Sequence, residues 1–148
     1  MVPLGFTTTL LTAAGEYLDA ENVGAWRPPP ATYLPDDVAI TVDEFHPTVN
    51  KAISLATYPV SDDATTDSVI GLQLWIRGAP KNRASAKDIA DRATDALHGL
   101  QRATWGGIPI VLIMWKSQAS HGPDANGREE ISINFYAQLT RTGTHRRD

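Results

Sequence analysis

The sequence predicts an α+β domain, a mostly antiparallel β-sheet with two α-helices packed on one face, in the order α-β-β-β-α-β-β. Three observations lead there. Five segments carry strand patterning and two carry helical spacing of their apolar residues. The strand segments fall in groups joined by short polar stretches, as hairpins do. The chain has 148 residues, 42% of them hydrophobic, which suits one domain with a core of its own. Residues 1–140 are read as that domain and 141–148 as a basic C-terminal tail.

The first helix rests on Phe6, Leu10, Ala13, Ala14, Tyr17 and Leu18, which recur three and four apart and so share a face. Thr7 or Thr8 stands where a start cap belongs, and Gly15 inside the helix costs roughly 1 kcal/mol against alanine. Gly24–Asp37 follows with four prolines, three of them consecutive, and reads as a stiff connecting loop pinned to the body by Trp26 and Tyr33. Three strands are expected next. Val38–Phe45 alternates; Val49–Val60 carries Val49, Ile53, Leu55 and Tyr58; Ser68–Gly78 sets Ile70, Leu72, Leu74 and Ile76 against Gly71, Gln73, Trp75 and Arg77. Between the last two, Ser61–Asp67 is a polar, acidic loop.

The second helix is expected to begin near Ser85, three residues before Asp88 in a capping-box-like pattern, and to stop at Gly99. Its buried stripe is Ile89, Ala93, Ala96, Leu97 and Leu100. Ile108–Ser117 is apolar on both sides and reads as a central strand covered on both faces. Arg128–Thr140 alternates cleanly, with Ile131, Ile133, Phe135, Ala137 and Leu139 inward. The tail has no periodicity and is expected to be mobile unless a partner holds it.

Composition excludes several chemistries. There is no cysteine, so disulfides, thiolate zinc sites and cysteine nucleophiles are out. A net charge of −4 argues against a surface that coats nucleic acid. The N-terminus lacks the basic start of a signal peptide, and the longest apolar run, Ile108–Trp115, falls well short of the ~20 residues of a membrane helix. The expectation is a soluble protein.

Gly122–Tyr136, GPDANGREEISINFY, crowds polar groups together. Asp124, Asn126 and Gly127 catch part of a calcium-loop pattern, but Glu130 comes too soon and strands flank the loop. A hairpin turn, with Asn-Gly supplying positive backbone angles, accounts for it better. Ser120, His121 and Asp124 sit too close in one loop to make a catalytic triad, and there is no nucleophile elbow. His46, His98, His121 and His145 lie on different elements without metal-ligand spacing. No phosphate-binding glycine loop is present. Charged groups remain as candidates for a subunit or partner interface: Arg77, Lys81 and Arg83 in a basic loop; Asp88, Asp91, Arg92 and Asp95 on the helix; Arg128 and Glu130 at the last strand. No catalytic, cofactor or metal residue is assigned.

Two stretches carry a resemblance. Leu72–Leu100, LQLWIRGAPKNRASAKDIADRATDALHGL, joins a strand, a basic loop and an Asp-rich helix ending in Leu-His-Gly-Leu. Ile108–Tyr136, IPIVLIMWKSQASHGPDANGREEISINFY, joins two strands through an Asp-x-Asn-Gly-Arg turn. Over roughly residues 68–140 the chain resembles the minor capsid and tail terminator proteins of long-tailed bacteriophages. The resemblance implies a structural virion protein at the head–tail junction, a hexameric ring that caps the tail tube, stops its polymerisation and joins it to the head connector. Its partners would be other copies of itself, the tail tube protein, the head connector or stopper protein, and packaged DNA passing through the lumen without sequence-specific binding; no membrane and no cofactor are implied. It would be assembled in the bacterial host cytoplasm. The alternatives are another head–tail connector or head-completion protein, or a small α+β enzyme or ligand-binding domain.

Overall fold

The computed structural model describes residues 4–148 and contains two helices and one seven-stranded sheet. In chain order these are α1 (Phe6–Ala20), β1 (Ala25–Trp26), β2 (Ala39–Val42), β3 (Ala52–Asp62), β4 (Asp67–Pro80), α2 (Arg83–Leu97), β5 (Gln101–Trp105), β6 (Ile108–Pro123) and β7 (Arg128–Thr140). Across the sheet the order is β1-β2-β3-β4-β7-β6-β5. The α+β class holds, with the predicted elements in their predicted order. Two short edge strands, β1 and β5, are additions. β1, β2 and β3 run parallel; every other pairing is antiparallel.

The core forms because the period-2 apolar sets of neighbouring strands fall in register. Leu55, Leu74 and Ile133 make one row, Ile53, Ile76 and Ile131 the next. All are buried, with Phe135 among them at 0% exposure. Against this face pack Leu10, Leu11, Ala14 and Leu18 of α1 and Ala86, Ile89, Ala90, Ala93 and Leu97 of α2, in one continuous cluster. Both helices therefore lie on the same side of the sheet and leave the other side bare.

Gly15 shows why a poor helix former sits inside α1. A Cβ there would fall 2.3 Å from Cε3 of Trp26, whose ring lies against the helix backbone. Trp26 thus pins the proline loop, as does Tyr33, whose hydroxyl donates to the Ile40 carbonyl at 2.5 Å. α1 starts without a side-chain cap: Gly5 holds the N-cap position, so neither Thr7 nor Thr8 plays that part. α2 starts two residues before Ser85. Asn82 is the cap, accepting from the amides of Ala84 and Ser85 at 3.2 Å each, while the Ser85 hydroxyl accepts from the Ala79 amide at 2.8 Å.

β6 is not a central strand covered on both faces. Ile108, Ile110 and Ile113 face the core, but Val111 is 51% and Trp115 43% exposed. Helices cover one side of the sheet only, and β6 lies next to its edge. β5 reaches β6 through Gly106 and Gly107, both at positive φ (58° and 83°), the pattern of a tight two-residue hairpin turn.

The tail is held by its own chain. Arg146 forks onto Asp62 (2.8 and 2.6 Å) and donates to the Thr65 carbonyl, while Arg147 exchanges backbone hydrogen bonds with Ala64 and Thr66. The polar loop expected over Ser61–Asp67 shrinks to the β3–β4 turn on which the tail docks.

Candidate assembly surfaces

The interface candidates named from the sequence separate into three groups. Arg77 is an interior residue, 6% exposed. Its guanidinium donates to the carbonyls of Asn50 (2.8 Å), Val49 (2.6 Å) and His46 (3.1 Å) and lies 4.7 Å from the centre of the Phe45 ring. It ties the β2–β3 connection to the sheet and is not at the surface to meet a partner. Arg128 is likewise spent, on Asp124 at 2.8 Å and Asn50 at 3.2 Å. Glu130, half-buried, pairs across the ladder with Arg77. Lys81, Arg83, Asp88, Asp91, Arg92 and Asp95 do project outward, on the β4–α2 turn and the solvent side of α2. Arg83, itself almost wholly in solvent, reaches the largely buried Glu129 carboxylate at 3.9 Å, a long and weak pair.

The Gly122–Tyr136 stretch is a turn and a strand. The Gly127 amide donates to the Asp124 carbonyl at 3.0 Å, closing the turn. Within the turn Gly127 has positive φ (74°) and Asn126 does not share the left-handed conformation expected of it; this is the turn-plus-bulge form of hairpin. The Asp124 carboxylate accepts from the amides of Asn126 and Arg128 (2.9 Å each). Partial burial alone would raise its pKa, but these amides and the Arg128 guanidinium outweigh that and hold it below the usual carboxylate range. Ser120, His121 and Asp124 do not converge. His121 turns to Ser132 instead, Nε2 to Oγ 2.8 Å. Among the described residues no three His, Asp or Glu side chains gather as metal ligands.

His121 belongs to a larger feature, the helix-free face of the sheet. Its ring stacks on Trp75 (centroids 4.3 Å apart, planes 16°). Trp75 Nε1 donates to Gln73 Oε1 at 3.1 Å; Gln73 Nε2 donates to Asn134 Oδ1 at 3.1 Å. Asn134 also accepts from the Tyr58 hydroxyl (3.3 Å) and donates to Ser117 Oγ (3.0 Å). Lys116 covers the Tyr136 ring at 5.3 Å. Four strands contribute, and Lys116 and Ser117 reach this face from consecutive positions because β6 shifts register between Trp115 and Ser117. The alternation of β4 and β7 marked Gln73, Trp75, Ser132, Asn134 and Tyr136 as outward, but nothing marked Tyr58, Lys116, Ser117 or His121 so. Nor did the sequence mark any of them as a network, because the partners are up to 76 residues apart.

The sheet has two half-open flanks. β2 covers β3 only as far as Leu55, whose carbonyl accepts the Asp43 amide; among the described residues, 56–61 have no backbone partner on that side. On the opposite flank β5 and the Gly99–Leu100 segment cover β6 through Ile113, and His98 Nδ1 accepts from the Trp115 amide at 2.9 Å. Residues 116–122 are open beyond it. Three of the large exposed apolar residues, Val60, Val111 and Trp115, lie on these two strands. A separate groove of about 540 Å³ between the proline loop and β2 is lined mainly by Trp26, Pro28, Tyr33, Ile40, Val42 and His46. The Arg27 guanidinium at its rim is paired with Asp37 (3.0 Å), and His46 Nδ1 accepts from the Thr48 and Val49 amides. No helix among the described residues is long and apolar enough to cross a membrane.

Comparison with known proteins agrees with a surface-built role. In structure the chain is similar to a chain from the "Virion of native gene transfer agent (GTA) particle", with a TM-score of 0.67 at 16% identity, over 94% of this chain and 100% of that one. At that identity the likeness concerns the fold. No curated protein matches the sequence. The family model for bacteriophage tail terminator proteins matches residues 17–141, from the last turn of α1 to just past the end of β7. The chain belongs to that family of structural phage proteins.

Proposed function

We propose that this protein works as a ring at the head–tail junction of a phage particle, capping the tail tube, ending its polymerisation and joining it to the head connector. The observation that carries the reading is the helix-free face: four strands wide, ordered by its own hydrogen bonds, and nearly free of charge. Its polar groups are spent on one another, so it offers shape and adhesion in place of a reactive centre. Family membership supports the same role.

In this reading six copies close the ring through heterologous contacts, the tube protein meets one rim and the connector the other, and packaged DNA passes through the centre. A bore lined by neutral amides and aromatics gives phosphates few cations to hold. The outward charges of α2 and the β4–α2 turn face neighbours or the surrounding virion. Assembly takes place in the host cytoplasm before the particle is complete.

The test is capping. Tail tube protein polymerised with the purified chain is expected to give tubes of arrested length bearing a ring at one end in negative stain. Tubes that grow unchecked and bare at any ratio would rule the reading out.

A further inference from the structure

We propose that neighbouring copies join by sheet-edge pairing, the open half of β6 in one copy running antiparallel to the open half of β3 in the next. The inference deepens the ring reading and rests on it.

Backbone accounting comes first. Residues 56–61 of β3 and 116–122 of β6 carry amides and carbonyls with no backbone partner on the outer side. Exposed edges of this kind pair with another strand or are guarded by charge, proline or bulges. β3 is guarded at one point, by Pro59 and the adjoining register shift. β6 has register shifts, but Lys116 is its one charged residue between Trp115 and Pro123. Val60 on one flank and Trp115 on the other leave apolar surface beside the open backbone.

The two halves also match in direction and face. β3 pairs antiparallel with β4, β4 with β7 and β7 with β6, so β3 and β6 run in opposite directions on opposite flanks of one sheet. Setting Pro59 against Gln118 of the neighbour, and therefore Thr57 against Ser120, puts helix-side residues opposite helix-side residues. Thr57 shares its row with Leu72, and Ser120 with Ile131, both in the core. β2 covers the other half of the β3 flank and β5 the other half of the β6 flank, so neither stands between the open halves.

This register builds in a stagger. Within one chain Pro59 is level with Ile70, Ala137 and Ile113, whereas Gln118 is level with Ile133. Each joint thus displaces the next copy by four residues, from the row of Ala137 to that of Ile133, and each copy contributes four strands, β3, β4, β7 and β6. Closed barrels need such a shear. A shear equal to strand number is that of the eight-stranded barrel, with strands tilted about 36°. The ratio is independent of how many copies close the ring. For six copies, strands ~4.8 Å apart at ~36° tilt give a barrel about 45 Å across its backbone, with the helices outside and the helix-free face lining the bore.

The chain has no cysteine, so an engineered pair reads the contact directly. Thr57 and Ser120 of one chain lie on β3 and β6, three strand spacings apart and in different rows, beyond disulfide reach. Rings of the Thr57→Cys/Ser120→Cys chain, assembled alone or at tube ends and mildly oxidised, should run as a ladder of covalent oligomers up to the closed ring. Each single variant should stay monomeric on the same gel. In the unmodified chain, amides within 56–61 and 116–122 should exchange at least tenfold more slowly in the ring than in the monomer. Rings without a ladder and without this protection would overturn the edge pairing and leave the ring reading standing. Protection of 116–122 that needs tube protein, with no copy-to-copy cross-link, would assign the flank to the tube and overturn it too. Failure to form rings or cap tubes would overturn both.

Discussion

Arg77 offers a sharp test of how the sheet is held, because its charge suggests a surface and its position is interior. In Arg77→Met the stem still packs, but the guanidinium is lost from the Asn50, Val49 and His46 carbonyls and from the Phe45 ring. Val49 is 5% exposed, so its carbonyl is left unsatisfied in the interior, at about 1–3 kcal/mol. The other two carbonyls lie nearer the surface and regain water, costing about 0.5–1 kcal/mol each, and the cation–π contact is worth about 0.5–1 kcal/mol. Sparing the burial of a charge offsets part of this. The net is a loss of about 3 kcal/mol, which for a domain of this length lowers Tm by roughly 6–12 °C. Urea unfolding should show it as a lower midpoint at unchanged slope, and amide exchange should quicken first near residues 46–50. If Arg77→Met melts within a degree of the parent yet no longer assembles, the residue is an interface contact after all and the reasoning fails.

Other outcomes follow from the same geometry. The Asp62 carboxyl is held down to about 2, first by the Arg146 fork and then by the Ala64 amide. Its folded value lies below the unfolded one, so its contribution to docking the tail is complete above about pH 4 and is lost as pH falls through about 2; tail signals in NMR should sharpen across that window, and in Asp62→Asn they should be sharp at neutral pH. Gly15→Ala should destabilise by more than 1 kcal/mol despite the ~1 kcal/mol gain in helix propensity, because the added carbon meets the Trp26 ring at 2.3 Å; the same change in a Trp26→Ala background should stabilise. Asn82→Ala should cost about 1 kcal/mol, the usual loss of an N-cap, and helical circular dichroism should show earlier fraying of α2. An unaffected melt would transfer the cap to another residue.

Several features were legible because they depend on local chemistry. The last strand appears at its predicted bounds, Arg128–Thr140, since five alternating apolar residues admit one buried face. α2 was readable from its stripe, but its cap was misassigned: Ser85 and Asn82 both suit the role, and the choice turns on the Ala79 amide, six residues back, which claims the Ser85 hydroxyl. β6 misled because an apolar run does not reveal whether one or two layers cover it. β5 was missed because it is five residues long with only Ala103 and Trp105 as apolar groups, too short a run to show a period, and its pairing is made through Gly106–Gly107.

By itself the sequence determined the two helices and the five longer strands, the buried side of those that alternate cleanly, and that cysteine and phosphate-loop chemistry are absent. These follow from spacing and composition, which act within a few residues. The tertiary structure alone decided that Arg77 is interior, that Arg146 holds the tail to Asp62, that Trp75, His121 and Asn134 share one face, and that β3 and β6 are each open along half their length. Each depends on which strand lies beside which, and strand order is set by packing over the whole sheet, where residues far apart in the chain become neighbours.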